Sequence, residues 1–194
     1  MKLIIIRYNA GNIQSVSFAL ERLGVAFTIT DDPDQIKSAD KVIFPGVGEA
    51  STTMNYLRER NLDLLIRALK QPVLGICLGM QLLCKHSEEN STDCIGVFDE
   101  PVKRFQPKGD MKVPHIGWNQ LVVKDSWLDP SLNNANVYFV HSFYVPVTPY
   151  TSATTEYILP FTAAMQKDNF YAVQFHPEKS AEAGEKVLKS FLHK

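Results

Sequence analysis

Apolar residues in the first half of the chain follow two periods, one typical of strands and one typical of helices. Short β-rich runs at residues 2–7, 25–30, 41–46 and 72–76 predict buried strands. Between them, apolar positions at helical spacing predict helices over residues 13–23, closed by Gly24, and over residues 54–69. Strands that alternate with helices predict right-handed crossovers and a parallel sheet covered on both faces.

The second half of the chain changes character. Between residues 96 and 175 the apolar runs are short, β-branched and aromatic, which predicts strands added to the sheet or a hairpin against it. Residues 180–192 predict a closing helix, with Val187, Leu188, Phe191 and Leu192 on one side. Since no repeat or linker interrupts the sequence, we expect a single α/β domain over residues 1–194. Its core is a doubly wound, mostly parallel sheet with added antiparallel strands.

Charge and cysteine content exclude several classes of partner. The 194 residues include 20 basic and 21 acidic side chains spread along the chain, so no single-sign field attracts nucleic acid or a membrane surface. The first nine residues hold too few apolar side chains for a signal peptide. Three cysteines without a regular framework indicate reduced thiols. We therefore expect a cytoplasmic protein.

The turn at Cys77 is the clearest chemical signal in the chain. Gly75, Cys77 and Gly79 have the spacing of a G-x-S-x-G nucleophile elbow, with a thiol in place of the hydroxyl. Ligands of doubly wound sheets bind beyond the carboxyl ends of the strands, where this turn is expected. The start of the next helix favours a thiolate and offers free N–H groups, first that of Leu78, to an oxyanion. A buried structural cysteine between packing glycines is the alternative.

A histidine and a carboxylate near the end of the chain favour the catalytic interpretation. His176 ends a predicted strand, because Pro177 cannot continue a central ladder. In an extended chain Glu178 lies on the same side as His176 and can accept a hydrogen bond from its imidazole. For His176 alone, a satisfied histidine at a strand end is the alternative.

A second glycine turn, FPGVGEA at residues 44–50, also follows a predicted strand. The backbone at Gly46 and Val47 can point an N–H into the same space as that of Leu78. The turn lacks the third glycine of a dinucleotide-binding loop, so we expect no nucleotide cofactor. The histidines and cysteines show no zinc-ligand spacing, so we expect no metal.

These residues resemble class I glutamine amidotransferases, in which a motif like GICLGMQLL (residues 75–83) surrounds the nucleophile and HPE (residues 176–178) carries the base and its orienting carboxylate. Further segments are similar to the branch whose glutaminase subunit works with a (β/α)8-barrel cyclase in histidine biosynthesis: PGVGEA, VPHIGWNQL, VYFVHSFYV and HPEKS. The similarity runs from AGNIQSV to the last helix. It departs at residues 7–9, where relatives often have Asp-Tyr-Gly and this chain has Arg7, Tyr8 and Asn9, and in residues 85–94.

The resemblance implies a flavodoxin-like fold and a role for each matching residue. Cys77 forms a γ-glutamyl thioester, His176 is the base and Glu178 orients it. The remaining implied residues are the oxyanion-hole residues Val47 and Leu78, the glutamine-binding residues Gly46, Gln81, His141, Ser142 and Phe143, and the partner-facing residues Asn12, Trp118 and Lys179.

A second chain is expected to use the ammonia. The glutaminase motifs nearly fill this chain, so the consumer of ammonia must lie elsewhere. The resemblance implies a heterodimer with the cyclase subunit, which converts a phosphoribulosyl aminoimidazole carboxamide intermediate (PRFAR) to imidazole glycerol phosphate and AICAR. L-glutamine is the implied substrate.

Three alternatives stay open at the level of sequence. A paralogous subunit could supply ammonia for amidination of a bacterial surface sugar, with the same glutaminase chemistry and a different barrel. A cysteine hydrolase of the same architecture, such as a peptidase, would act without a partner. A regulatory binding module would leave Cys77 indifferent to electrophiles.

Overall fold

Strands and helices alternate through the first half of the chain. The structure, a computed structural model, describes residues 1–9, 11–124 and 126–194. The elements of this half are β1 (Leu3–Ile6), α1 (Ile13–Arg22), β2 (Thr28–Thr30), α2 (Pro33–Lys37), β3 (Lys41–Phe44), α3 (Ala50–Glu59), α4 (Leu62–Ala68), β4 (Val73–Ile76) and α5 (Leu78–Leu83).

The second half consists mainly of short strands and ends in a helix. Its elements are β5 (His86–Ser87), β6 (Thr92–Asp93), β7 (Pro101–Arg104), β8 (His115–Gln120), β9 (Val122–Val123), β10 (Asn136–His141), β11 (Phe143–Tyr144), β12 (Thr151–Glu156), β13 (Pro160–Lys167), β14 (Phe170–Val173) and α6 (Ala181–Leu192). Short 3-10 turns occur at Glu89–Ser91, Pro130–Leu132 and Pro177–Lys179. Among the described residues, no helix is long and apolar enough to span a bilayer.

The main sheet has the strand order β2-β1-β3-β4-β14-β13-β12-β9. The first five of these strands run parallel, and β13, β12 and β9 extend the sheet in antiparallel fashion. A separate antiparallel ribbon pairs β8 with β10, and a small sheet has the order β11-β7-β5-β6. The predicted fold class is therefore confirmed. Since β4 and β14 are parallel neighbours, the residues that follow each strand meet at one edge of the sheet.

Side chains of the central strands pack alternately on two hydrophobic clusters. In β1, Ile4 and Ile6 belong to one cluster, and Leu3 and Ile5 belong to the other. Buried side chains of α2 to α5 join the first cluster, and those of α1 and α6 join the second. The sheet is covered on both faces, which explains why its parallel strands are almost continuously apolar.

The helix predicted over residues 54–69 is two helices in the structure. It begins earlier, at Ala50, and is interrupted between α3 and α4 by Asn61, which has a left-handed φ of 55°. The short helix α2 was not predicted. Its signal is nevertheless in the sequence, because the Asp32 side chain accepts hydrogen bonds from two N–H groups of the first turn and a proline occupies that turn.

The predicted strands are shorter than expected, and two of them lose three residues at one end. The strand predicted over residues 25–30 is confined to Thr28–Thr30, and the one expected to end at His176 ends at Val173. The closing helix begins at Ala181 and buries Val187, Leu188 and Phe191 as predicted.

Candidate active site

Cys77 occupies a strained turn between β4 and α5. Its φ of 52° and ψ of −108° lie in a region that residues other than glycine rarely adopt. The flanking glycines permit the close packing that this turn needs. A Cβ on Gly79 would lie 2.0 Å from the carbonyl oxygen of Phe44, and one on Gly75 would lie 2.8 Å from a methyl group of Leu83. The turn has the elbow form expected from the sequence.

His176 and Glu178 form a buried pair beside Cys77. Nδ1 of His176 lies 2.7 Å from Oε1 of Glu178, and neither side chain is more than 2% exposed. Burial by itself lowers the pKa of His176. Hydrogen bonds with the Cys77 sulfur and the Glu178 carboxylate, together with the negative charges of the thiolate and the carboxylate, outweigh burial and raise this pKa to about 10. The imidazole is therefore protonated at neutral pH.

The pair forms by a different route from the one expected. An extended chain was predicted to place the two side chains on one side, but Pro177–Lys179 forms a 3-10 turn. The Lys179 N–H and the Ser180 hydroxyl both donate to the carbonyl oxygen of His176, at 3.0 and 2.6 Å. A tight turn, rather than strand alternation, brings the carboxylate to the imidazole.

Asn12, which the resemblance implies at the partner interface, contacts this pair directly. Its side-chain N–H donates to Oε1 of Glu178, and its amide nitrogen lies 3.4 Å from Nδ1 of His176. The residue is half-buried and has a left-handed φ of 77° just before α1. A molecule that touches Asn12 from outside is therefore one side chain away from the base.

The two predicted oxyanion residues lie together, but one of their N–H groups is occupied. Val47 and Leu78 line the same cavity as Cys77. The Leu78 N–H, expected to be free, donates to the carbonyl oxygen of Gly46 at 3.2 Å. The preceding residue of the loop is fixed as well, because the Tyr8 hydroxyl donates to the carbonyl oxygen of Pro45.

A cavity of about 330 Å³ opens at this edge of the sheet, large enough for a small metabolite. It is lined by Val47, Gly48, Cys77, Leu78, Gln81, Glu89, Pro114, Val140, His141, Ser142, Phe143, His176 and Lys179. Gly46 is placed behind the lining, where its carbonyl meets α5. Trp118 does not line this cavity. It lies on β8, is 54% exposed, and packs edge-on against Tyr138.

Glu89 lines the cavity and was not predicted. Among the described lining residues it is the one carboxylate, and its Oε2 accepts a hydrogen bond from the Ala50 N–H at 2.8 Å. Burial raises the pKa of Glu89. It belongs to residues 85–94, which match the family pattern poorly, so no motif marked it. That segment therefore contributes to the site after all.

Gln174 was also missed, although it touches the cysteine. Nε2 of Gln81 donates to the carbonyl oxygen of Phe143 at 3.0 Å and to Oε1 of Gln174 at 2.9 Å. Nε2 of Gln174 in turn donates to Sγ of Cys77 at 3.7 Å. Gln174 is fully buried. Its one signal in the sequence is a polar residue within the apolar run before His176.

Two histidines continue these contacts. Nδ1 of His141 lies 2.7 Å from the carbonyl oxygen of Phe143, and its Nε2 lies 3.1 Å from Nδ1 of His115. A carbonyl can only accept, so Nδ1 of His141 carries the proton and Nε2 accepts from His115. Burial lowers the pKa of His115 to about 4 and that of His141 to about 3. Both rings are neutral at pH 7.

The other two cysteines differ from Cys77. All three are unpaired. Burial raises the pKa of Cys94 to about 12 and that of Cys84 well above its ordinary value. Neither lines the cavity, and their thiols face the carbonyl oxygens of Met80 and Thr92.

The chain is similar to known proteins over almost its entire length. The family model for class-I glutamine amidotransferases matches residues 5–194. The imidazole glycerol phosphate synthase subunit HisH of Bacteroides fragilis strain YCH46 is 59% identical over 194 residues, with 99% of each chain covered. The HisH subunits of Vibrio cholerae and Escherichia coli K12 are 48% and 47% identical, with 97% and 99% of each chain covered.

Solved structures share the fold at low sequence identity. A crystal structure of a glutamine amidotransferase has a TM-score of 0.74 at 18% identity and covers 98% of this chain and 97% of its own. PurLQS from Thermotoga maritima has a TM-score of 0.71 at 16% identity, with 99% and 97% covered.

The doubly wound sheet, with a strained cysteine turn facing a buried histidine and carboxylate, has the architecture of a cysteine-dependent amidohydrolase. The chain belongs to the class-I glutamine amidotransferase family, among the HisH subunits of imidazole glycerol phosphate synthase. The family resemblance that the motifs indicated is thereby confirmed.

Proposed function

We propose that this chain hydrolyses L-glutamine to glutamate and ammonia through a thioester on Cys77. The ammonia passes to a (β/α)8-barrel cyclase chain, which uses it to convert PRFAR to imidazole glycerol phosphate and AICAR in histidine biosynthesis. The observation that carries this proposal is the contact of a strained cysteine turn with a buried, protonated His176–Glu178 pair. Three unpaired cysteines suit the reducing cytoplasm.

Cys77 and His176 divide the chemistry between them. The thiolate sulfur of Cys77 attacks the carboxamide carbon, and the carbonyl electron pair moves to oxygen. When that intermediate collapses, the C–N bond breaks, the His176 imidazolium protonates the departing nitrogen, and ammonia leaves. Neutral His176 then takes a proton from a water molecule, which attacks the thioester and releases glutamate. Glu178 acts through Nδ1 by holding the ring in place.

The cavity offers charge for the amino-acid end of glutamine. Glu89 is a partly desolvated carboxylate in the wall, so it can pair with the α-ammonium group. Gln81 uses both amide N–H groups within the protein, which leaves its carbonyl oxygen as its contribution to the substrate. Ser142 and Phe143 supply the backbone beside them.

An exposed apolar face supports docking of a second chain. Ile116 and Trp118, two apart on β8, are 60% and 54% exposed on the same side of the ribbon. Lys179 lies at the cavity mouth, and Asn12 contacts Glu178. We propose that the cyclase chain covers these residues, so that docking can affect the position of His176 through Asn12 and Glu178.

The occupied Leu78 N–H supports control by the partner. While this group donates to the Gly46 carbonyl, it cannot also stabilise an oxyanion. Gly46 and Gly48 permit a backbone rotation that would release it, and Gly48 already has a φ of 125°. A missing oxyanion donor costs about 10²–10³-fold in rate. The free chain is therefore expected to be a poor glutaminase.

Glutamate production by the purified chain tests this proposal. We expect slow turnover alone and a rise of about 10²-fold or more when the histidine-pathway barrel and its substrate, or an analogue, are added. Cys77→Ala should abolish glutamine-dependent synthesis by the complex and leave synthesis from added ammonia intact. Cys94→Ala, which removes a thiol outside the cavity, is the matched control and should retain both activities.

Two results would contradict the proposal. Turnover by the free chain at the rate of the complex would favour a hydrolase that acts alone. Activation by a different barrel, and not by the histidine-pathway cyclase, would instead assign the ammonia to another acceptor.

A further inference from the structure

Gln174 connects the cysteine to a buried network whose hydrogen-bond directions are fixed. Its side chain is fully buried just after β14 and lies between Gln81 and Cys77. A buried primary amide normally has two possible orientations, which exchange its oxygen and nitrogen. Which atom faces the sulfur decides whether the amide favours a thiol or a thiolate.

The network permits one orientation only. The carbonyl oxygen of Phe143 has no hydrogen to donate, so the atom of Gln81 that lies 3.0 Å from it must be the NH2 group. The same NH2 group lies 2.9 Å from Gln174, which must therefore present its oxygen there. The Gln174 NH2 group is left facing Sγ of Cys77 at 3.7 Å. Rotating this amide would place two NH2 groups against each other in a buried site.

We propose that Gln174 is a further catalytic residue of this site: its side-chain N–H donates to the Cys77 sulfur and stabilises the thiolate before glutamine is attacked. This inference rests on the proposed function, because it assigns the group that keeps the nucleophile charged. In the ion pair with the His176 imidazolium, the electron pair of Cys77 stays on sulfur, and the Gln174 N–H points at it. Gln81 and Phe143 act as positioning residues that hold the amide in this direction.

A carbonyl group on the opposite side of the sulfur explains why such a donor is needed. The carbonyl oxygen of Val140 lies 3.9 Å from Sγ of Cys77. A carbonyl accepts a hydrogen bond from a thiol but repels a thiolate, so this contact favours the uncharged form. The Gln174 N–H has the reverse preference. The sulfur therefore lies between the Val140 carbonyl, which favours the thiol, and the Gln174 N–H, which favours the thiolate. Because the amide is fixed, it shifts the equilibrium toward the reactive thiolate.

Three titratable groups also face this sulfur. His176 and its partner Glu178 lie on the turn after β14, and the protonated imidazole favours a thiolate. Burial raises the pKa of Tyr8, which follows β1, and the nearby charge of Cys77 raises it further. Gln174→Met adds no charge beside these groups, so it removes the amide donor alone.

The rate of Cys77 alkylation as a function of pH tests the proposal in the free chain. Gln174→Met keeps the length of the side chain and removes the N–H donor. We expect the midpoint of the alkylation profile to rise by about one pH unit, with roughly tenfold slower labelling below that midpoint. Gln174→Glu replaces the donor with an acceptor and should raise the midpoint at least as far. Gln166→Met, on the partly exposed end of neighbouring β13, is the matched control and should leave the profile unchanged.

A purely structural role predicts a different result. Misplacement of the cysteine would lower the plateau rate at high pH and leave the midpoint where it was, and that outcome would overturn the proposal. If neither variant folds, the unmodified protein supplies the measurement, since the Gln174 side-chain amide proton resonances should shift with the Cys77 titration and stop titrating after alkylation. Resonances that ignore the titration would also overturn it. Alkylation requires no glutamine turnover, so failure of the proposed function and failure of this inference are distinguishable.

Discussion

At the scale of single residues, Glu178 has one route to the reaction, through the imidazole of His176. Its Oε1 contacts His176 and Asn12, and its Oε2 has no hydrogen-bond partner in the described structure. We expect His176→Ala to lower turnover by the complex about 10³-fold and Glu178→Gln to lower it less, because the amide oxygen still accepts from Nδ1. The double variant should be scarcely worse than His176→Ala alone. Steady-state turnover of the three variants measures this. If the loss in the double variant equals the product of the two single losses, Glu178 has an independent role.

Single residues also show what a sequence can and cannot indicate. Cys77 and His176 were predictable because the elbow and the strand-ending His-Pro each have a local pattern. Glu89 and Gln174 were not, since each matters through a contact with a residue distant in sequence: Ala50 for Glu89, and Cys77 for Gln174. The occupied Leu78 N–H is of the same kind, because it depends on which way the Gly46 carbonyl points.

At the scale of elements, helix α6 holds the turn that carries Glu178. A Cβ on Gly184 would lie 1.8 Å from the carbonyl oxygen of Pro177 and 2.7 Å from its carbonyl carbon. Alanine normally stabilises a helix interior by about 1 kcal/mol relative to glycine. Here the new methyl group would collide with the backbone carbonyl of Pro177, which cannot rotate away as a side chain could. We therefore expect Gly184→Ala to lower the free energy of unfolding by about 1–3 kcal/mol.

Urea unfolding of the Gly184→Ala variant shows whether the higher helix propensity of alanine or its steric clash with the Pro177 backbone has the larger effect on stability. Lys189→Ala, an exposed position of the same helix, is the control and should change stability little. A variant as stable as the parent, or more stable, would mean that α6 can move off the turn. Glutaminase activity of the complex should fall together with stability, because the turn positions the carboxylate beside His176.

Element boundaries were less predictable than element types. The apolar period runs through residues 54–69 without a proline or glycine, so nothing local indicated the break at Asn61. Asparagine is among the few residues that tolerate a left-handed conformation, but it does not demand one. The pairing of His176 with Glu178 was predicted for the wrong reason, since a 3-10 turn at Pro177–Lys179, and not a continued strand, brings the two side chains together.

At the scale of the whole molecule, the site exists because the sheet gathers distant segments at one edge. Asn12, Cys77 and Glu178 come from the start, middle and end of the chain, and the parallel order β1-β3-β4-β14 places them together. At this edge His141 lines the cavity and contacts His115, and both are buried as neutral rings among the aromatic side chains of one cluster. Burial of a neutral base makes folding sensitive to acid.

Stability should fall as the pH drops from about 6.5 toward 4. Unfolded histidines bind a proton near pH 6.5, whereas His115 and His141, with pKa values of about 4 and 3, do not until lower pH. Unfolding then takes up protons, at a cost of up to about 1.4 kcal/mol per pH unit for each ring. His176 has the opposite sign, because its raised pKa of about 10 contributes stability that is lost as the pH rises above about 6.5. Denaturant unfolding between about pH 4.5 and 6.5 should therefore show a free energy of unfolding that falls as the pH falls. We expect His115→Phe to roughly halve the slope of this free energy against pH, even if the variant also changes stability at every pH. His193→Gln, at an exposed position, is the control, and an unchanged slope in His115→Phe would show that the buried pair does not govern acid sensitivity.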